Sequence, residues 1–252
     1  MKYEYKKLEA PVELSLKEGL GNKASDFDSQ SRAVPCQTGC PAGTNIPGYI
    51  EKIAQGKFDE AYAINLEDNV FPGVLGRVCA RPCESQCRHN WTDIQGTVQI
   101  CSLKRTAADY RKNKPQAPKS YFSETGKKIA VIGGGPAGLT AARELKSYGH
   151  NVTIFEKEKQ LGGMLVDGIP RFRLPLDLIE EEIGLITETG INVVYGEFID
   201  EAKFNNLLKE YDSVVVATGT TNANITPIEG LSKEHYSTGL EFMKEYNSGN
   251  IK

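Results

Sequence analysis

Apolar and polar positions change rhythm along the chain. From Thr44 to Arg111 the apolar residues recur at helical intervals, whereas beyond Gly126 short β-branched runs alternate with longer amphipathic stretches. In the first region, Thr44 or Asn45 is placed to cap a helix that carries Pro47 in its first turn and stops at Gly56. A second helix is predicted over 58–69 and a third over 100–111. Tyr49, Ile50, Ile53, Ala61, Tyr62, Ile64 and Leu66 repeat as helix faces do and are expected to pack. In the second region KKIAVIG, NVTIFE, 191–195 and 213–217 read as strands, with helices over 136–148, 176–188 and 201–210 between them. Such alternation predicts an α/β fold with a parallel sheet covered by helices.

The segment KNKPQAPKSYFSETG, 112–126, has two prolines and little apolar periodicity, so it reads as a connector. The expected division is an N-terminal arm and small all-helical domain over 1–112, a linker over 113–126, and a Rossmann-like lobe over 127–252. The first thirty or so residues lack periodicity and are expected to form an arm.

Composition narrows the function. The chain has 252 residues, 39% hydrophobic and 25% charged, which suits one large or two small globular domains. Thirty basic and 33 acidic residues leave a net charge of −3, and neither half is basic enough to suggest nucleic-acid binding. The N-terminus lacks the apolar run of a signal peptide, and no stretch is apolar enough for a membrane span, so a cytoplasmic location is the default expectation. In a reducing compartment, six cysteines are expected to be metal ligands or redox groups rather than disulfides. All of them lie between Cys36 and Cys101.

GGGPAG, Gly133 to Gly138, follows a strand and opens a helix. In that position Gly133 permits a tight turn, Gly135 lets backbone approach a pyrophosphate, and Gly138 lets helix and strand pack closely, while free helix amides hold the anion. The next strand ends in Glu156, a carboxylate placed for the hydroxyls of an adenosine ribose. The bland alternative is a purely structural glycine turn. Cys36 and Cys40 are followed by Pro41, and Cys79, Cys83 and Cys87 recur at three-residue intervals before Cys101. Thiols on loops rich in glycine and proline can turn toward one centre, as around iron–sulfur clusters. Zinc is the competing reading, although its usual paired spacing fits the run of three poorly.

GGM at Gly162, Gly163 and Met164, GIPRFRLP from Gly168 to Pro175, and VVVATG ending at Gly219 complete an ordered set. Together these motifs resemble the flavin-binding half of two-dinucleotide flavoproteins, in particular the small (beta) subunit of NADPH-dependent glutamate synthase and the amino-terminal half of dihydropyrimidine dehydrogenase. CQTGCPAGTNIPGYI, GRVC and LKR resemble the iron–sulfur domain of the same family. The resemblance implies FAD with Gly133, Gly134, Gly135, Pro136 and Ala137 at the pyrophosphate, Gly138 in the same cofactor-binding turn, and Glu156 at the ribose. It places Gly162, Gly163 and Met164 toward the flavin, Arg173 at a phosphate or ring edge, and Ile199 beside the adenine. Lys157 and the strand end Ala217, Thr218 and Gly219 are also in the implied cofactor site.

The family's two-cluster members carry an extra CxxC upstream of Cys36, where this chain has Asp28 and Ser31. One [4Fe-4S] cluster is therefore expected, with two requiring non-cysteine ligands. Cys40, Cys79 and Cys83 are the safest ligands; Cys36, Cys87 and Cys101 compete for the fourth place or hold part of a second site. Lys104 stands where some members place a non-cysteine ligand, but a charged lysine has no lone pair to give.

His89, His150 and His235 lack partners at ligand or catalytic spacing and are expected at the surface, and Trp91 and the tyrosines are expected to pack. No hydrolase motif is present, and no residue of substrate chemistry is expected. The family continues past VVVATG into a nicotinamide-binding domain, whereas the 33 residues after Gly219 hold no second glycine fingerprint. The chain is read as either a fragment or a short subunit, with the NAD(P)H site or acceptor on partner subunits. The expected function is an electron-transfer flavo-iron-sulfur subunit passing electrons between FAD and a cluster. The rival is a non-redox scaffold with a degenerate FAD lobe and a zinc-stapled helical unit. A stand-alone NAD(P)H dehydrogenase fits the FAD-like motifs less well.

Overall fold

The computed structural model describes residues 34–90, 96–117, 122–225, 228–230 and 232–251. The predicted arm, Asp28, Ser31, Trp91 and linker residues 118–121 lie outside them. Elements are numbered over the described residues.

The helical unit holds α1 (Pro35–Thr38), α2 (Ile46–Ala54), α3 (Phe58–Asp68), α4 (Pro72–Val78), α5 (Pro82–Ser85) and α6 (Ile100–Tyr110). Asn45 is the cap of α2: its side chain accepts from Gly48 N at 3.0 Å. Tyr49, Ala61, Tyr62 and Leu66 are buried as expected, while Ile50, Ile53 and Ile64 are half-buried around them. The sequence pattern did not predict α4, whose Gly73 and Gly76 weaken its helical signal. Those glycines are what packing requires. A Cβ on Gly73 would lie 2.8 Å from Leu178 Cδ1, and one on Gly76 would lie 2.8 Å from the Arg105 backbone.

The second unit runs β1 (Lys128–Ile132), α7 (Pro136–Ser147), β2 (Asn151–Glu156), α8 (Met164–Asp167), α9 (Leu176–Thr187), β3 (Asn192–Tyr195), α10 (Glu201–Glu210), β4 (Ser213–Val216) and α11 (Gly239–Asn247). Its four strands are all parallel, in the order β3-β2-β1-β4, with Val131 opposite Ile154 on one side and Val215 on the other. One face buries Val131, Val152 and Ile154 against Leu139, Ala142, Ile179, Ile183 and Ile186 of α7 and α9. The other packs Ala130 and Ile132 against Leu207 of α10. β4 is an edge strand, and Val216 on it is 62% exposed.

The units share a core: Val70, Phe71 and Val74 pack in the same cluster as the α7–α9 face of the sheet. Glu182 on α9 is fully buried at the junction. Its Oε1 accepts from Tyr62 Oη at 2.7 Å and Gly73 N at 2.6 Å, and its Oε2 accepts from Val74 N at 3.1 Å. Gly73 and Val74 lie in the first turn of α4, so a carboxylate from the sheet lobe satisfies helix-end amides of the helical unit. Burial pushes the Glu182 carboxyl above its usual range, opposed by these three donors. Alongside, the Arg111 guanidinium pairs with Glu181 and lies 4.5 Å over the Tyr62 ring.

The connector is strapped down rather than loose. Asp59 accepts from Lys112 N at 2.9 Å, Asn113 N at 3.0 Å and Asn113 Nδ2 at 2.9 Å, and these bonds hold its carboxyl below the usual range. Phe122 stacks on Tyr148 at 5.1 Å, and Thr125 N donates to Gly149 O at 2.9 Å. The sequence pattern missed these contacts because they are polar or come from single aromatics. It also missed α11, which opens with a capping box at Thr238 and Glu241. At its other end, Asn247 Nδ2 reaches Val166 O, Asp167 O and Ile169 O at 2.9, 3.1 and 3.0 Å. Among the described residues no helix is long and apolar enough to cross a membrane.

The junction predicts a hierarchy in urea unfolding. Tyr62→Phe removes one bond to a buried carboxylate and is expected to cost about 1.5–3 kcal/mol. Glu182→Leu also strands two helix-end amides and is expected to cost more.

Candidate functional site

Two glycine turns and a strand end converge where the sheet's strand order reverses. Gly133 N donates to Phe155 O and Ala217 N donates to Ile132 O, both at 2.8 Å, so the turn after β1 lies between the ends of β2 and β4. Gly133 has φ +103°, and a Cβ there would sit 2.4 Å from Ala217 O. A Cβ on Gly138 would come within 1.9 Å of Gly133 O, which is how closely α7 approaches the turn. Gly135 differs: nothing lies within 4 Å of where its Cβ would be. Open space therefore stands over the residue that precedes the free amides of α7, the geometry that takes a pyrophosphate.

The second turn locks onto the first. Gly162 N donates to Gly134 O at 2.8 Å, and a Cβ on Gly163 would be 3.1 Å from Gly135 Cα. Glu156 is buried at the end of β2, its Oε2 accepting from Gly134 N at 2.6 Å and its Oε1 from Glu158 N at 2.8 Å. Both oxygens keep a second lone pair. Pro136 and Ala137 open α7 beside the turn, and Met164, 42% exposed, opens α8. Lys157, Thr218 and Gly219 are exposed at the adjacent strand ends.

Arg173 and Ile199 are placed differently. Arg173 is exposed on a turn closed by its N–H to Pro170 O at 2.9 Å. Its neighbour Arg171 is half-buried with an Nη1 that has no hydrogen-bond partner, a residue the sequence reading passed over. Ile199 is half-buried in the α10-side core against Phe155 and Phe204.

The six cysteines gather at the other end of the helical unit. Cys83, Cys87 and Cys101 are buried and Cys36, Cys40 and Cys79 half-buried, all as free thiols. Helices α1 and α5 carry Cys36 and Cys83, and between them a Cβ on Gly39 would meet Gln86 Cγ at 2.7 Å. The loop after Cys79 turns through Arg81, whose φ of +64° is the one positive value outside glycine among the described residues. That conformation aims Arg81 N at Cys79 Sγ, 3.3 Å away. Cys101 comes from the first turn of α6, its amide fixed by Glu84 Oε1 at 2.9 Å. Hydrogen bonding with the Cys101 thiol, and next the charge of Lys104, lowers the Cys83 thiol below its ordinary value, and the same interaction and burial raise Cys101.

Among the described residues no three His, Cys, Asp or Glu side chains close on a single-ion site. A four-iron cluster asks for something wider, one soft thiolate to each iron around a cube. Free thiols on two short helices, the loops beside them and the first turn of α6, lined by Ile46, Tyr49 and Ile100, are a donor set of that kind. The sequence reading also missed a polar chain behind it. Thr44 Oγ1 is 3.4 Å from Cys40 Sγ and accepts from Asn69 Nδ2 at 2.7 Å, and Lys104 Nζ is 3.4 Å from Asn69 Oδ1. Its signal was present in three polar residues at packing positions. His89 and His235 are exposed, and His150 is half-buried beside Thr125.

Residues 23–116 match the family described as dihydropyrimidine dehydrogenase domain II, 4Fe-4S cluster, and 127–250 match the pyridine nucleotide-disulphide oxidoreductases. The NADP(+)-dependent formate dehydrogenase subunit beta of Moorella thermoacetica is 34% identical over 238 residues, covering 84% of this chain and 33% of that protein. The NADPH-Fe(3+) oxidoreductase subunit beta of Geobacter sulfurreducens is 35% identical over 222 residues, covering 85% and 33%. The glutamate synthase [NADPH] small chain of Bacillus subtilis is 34% identical over 224 residues, covering 85% and 44%. The chain thus spans a third to under a half of the length of these relatives.

The glycine turn predicts a split between two neighbours. Gly138→Ala forces a Cβ onto the Gly133 carbonyl and is expected to lower the melting temperature. Gly135→Ala has room in the free fold but fills the space over the turn. It is expected to melt like the parent while losing bound FAD, measured by its absorbance after purification.

Proposed function

Because the chain belongs to the FAD- and iron–sulfur-containing oxidoreductase family that includes the small chain of glutamate synthase, we propose that it is an electron-transfer subunit. Its cofactors are FAD and a [4Fe-4S] cluster, which when bound exchange electrons in pairs at the flavin and singly at the cluster. The observation that carries the reading is the shared core: the glycine turns and the gathered thiols belong to units joined through Val70, Phe71, Val74 and Glu182. The functional division is 1–112 for the cluster unit and 127–252 for the flavin lobe, with 113–126 between them.

In this reading the α7 amides and Gly135 receive the pyrophosphate and Glu156 orients the ribose. Gly133, Gly134 and Gly138 shape the turn with Pro136 and Ala137. Gly162, Gly163 and Met164 flank the flavin, with Lys157, Ala217, Thr218 and Gly219 at the rim. Arg173 is exposed toward solvent, where it can meet a phosphate or ring edge. Ile199, packed in the α10-side core, supports the adenine end through Phe155.

For the cluster, the ligands assigned are Cys40, Cys79, Cys83 and Cys101. Cys101 touches Cys83 and feels the charge of Cys79, Arg81 N steadies Cys79, and Cys40 is held against Thr44. Cys36 lies within reach of the charges of Cys87 and Cys83, and Cys36 and Cys87 are assigned as a pair beside one cluster. Substrate chemistry and the NAD(P)H site or acceptor lie on partner subunits, and the setting is the cytoplasm.

Anaerobic purification followed by cofactor extraction tests the reading. About one FAD with about four iron and four sulfide per chain is the expected result; zinc without flavin would instead mean a scaffold. Cys79→Ser, Cys83→Ser and Cys101→Ser are each expected to bleach the cluster absorbance while FAD stays bound. Cys36→Ser and Cys87→Ser are expected to keep four irons, and loss of iron in these two but not in Cys101→Ser would reverse the assignment.

A further inference from the structure

Lys104 is a cation in an unusual place. It lies on the inner face of α6, one turn beyond Cys101, and is only 5% exposed. Its Nζ is 3.4 Å from Asn69 Oδ1, a neutral partner. The ion pairs among the described residues do not include it. A buried ammonium without an opposite charge is costly, so something in its surroundings must offset it. Cys101 stands one turn before it, also buried on α6, and the Lys104 charge favours the thiolates of Cys101 and Cys83. Glu84 is the carboxylate on this side of α5, and its Oε1 is engaged by the Cys101 amide.

The polar chain gives the cation a fixed position. Asn69 is itself buried and held by its Nδ2 bonds to Thr44 Oγ1 at 2.7 Å and Asn65 O at 3.2 Å. Thr44, fully buried, then reaches Cys40. One end of the chain therefore touches a thiol on the loop after α1, and the other holds a positive charge one turn from Cys101 on α6.

We propose that Lys104 is the buried counter-charge of the cluster, stabilising its reduced state over its oxidised state. The inference rests on the reading that Cys40, Cys79, Cys83 and Cys101 hold that cluster. Reduction adds one electron and one negative charge to a group already negative from its thiolates. A fixed cation in a poorly screened interior favours the more negative state and raises the potential. Lys104 is thus a positioning residue that acts through charge, not a ligand.

The test is a redox titration of the purified full chain with its cluster, followed by low-temperature EPR, on the parent, Lys104→Gln and Lys104→Arg. Lys104→Gln is expected to lower the reduced-to-oxidised ratio at a fixed ambient potential by about tenfold, equivalent to ~59 mV for one electron. Lys104→Arg is expected to keep the parent ratio, and the flavin potential should move in neither. Loss of the cluster in Lys104→Gln with retention in Lys104→Arg would also support a counter-charge, one needed for assembly. An unchanged cluster potential in Lys104→Gln would overturn the proposal. Equal loss of the cluster in both variants would overturn it too, since shape and not charge would then be what matters. A parent chain without iron or sulfide would instead bring down the cluster reading beneath it.

Discussion

A single buried carboxylate ties the molecule together. Glu182 leaves the sheet lobe on α9 and closes the first turn of α4 in the helical unit, taking a third bond from the Tyr62 phenol. The arrangement is possible only because Gly73 has no side chain to keep α9 away. Removing the carboxylate from water costs several kcal/mol, and three donors, two of them amides at a helix N-terminus, offset that cost. Tyr62, the α4 glycines and the Arg111–Glu181 pair all have geometry that follows from this joint. It explains why a segment with poor helical propensity folds as a helix.

Within the sheet lobe, close backbone approach plays the corresponding role. Gly133, Gly138 and Gly162 are demanded by neighbouring carbonyls and side chains, whereas Gly135 is demanded by nothing in the protein itself. A glycine with empty space over it, beside an unpaired helix end, marks where the fold leaves room for something else. The thiol end is organised differently, by the left-handed turn at Arg81, the Glu84 anchor on Cys101 and a buried polar chain.

Much of this was legible in the sequence because it rests on local pattern. The βαβ alternation predicted all four strands, and GGGPAG with Glu156 located the convergence of turns. Cysteine spacing located the thiol end. What was not legible depends on tertiary contact. The glycines of α4 lower its propensity in isolation and matter only against Leu178 and Arg105. Cys101 is far from Cys83 in sequence, and only the register of α6 brings the thiols together. Lys104 could be set aside as a ligand on chemical grounds, but its burial is a property of the packed unit. Arg171 and Arg173 look alike in GIPRFRLP, and the turn that separates them is set by Pro170.

If the chain carries electrons as proposed, the strapped junction bears on how that flow is gated. Contacts through Arg111 and Glu182 cross it at separate points, and the connector between the units is pinned at Asn113 by Asp59 and at Phe122 by Tyr148. Under that reading, bracing at these points favours one separation between the glycine turns and the gathered thiols whether or not a partner is docked. Tunnelling falls steeply with distance, and a fixed gap makes the internal hop indifferent to docking. Control over when current passes then falls to the contacts each end makes outside the chain.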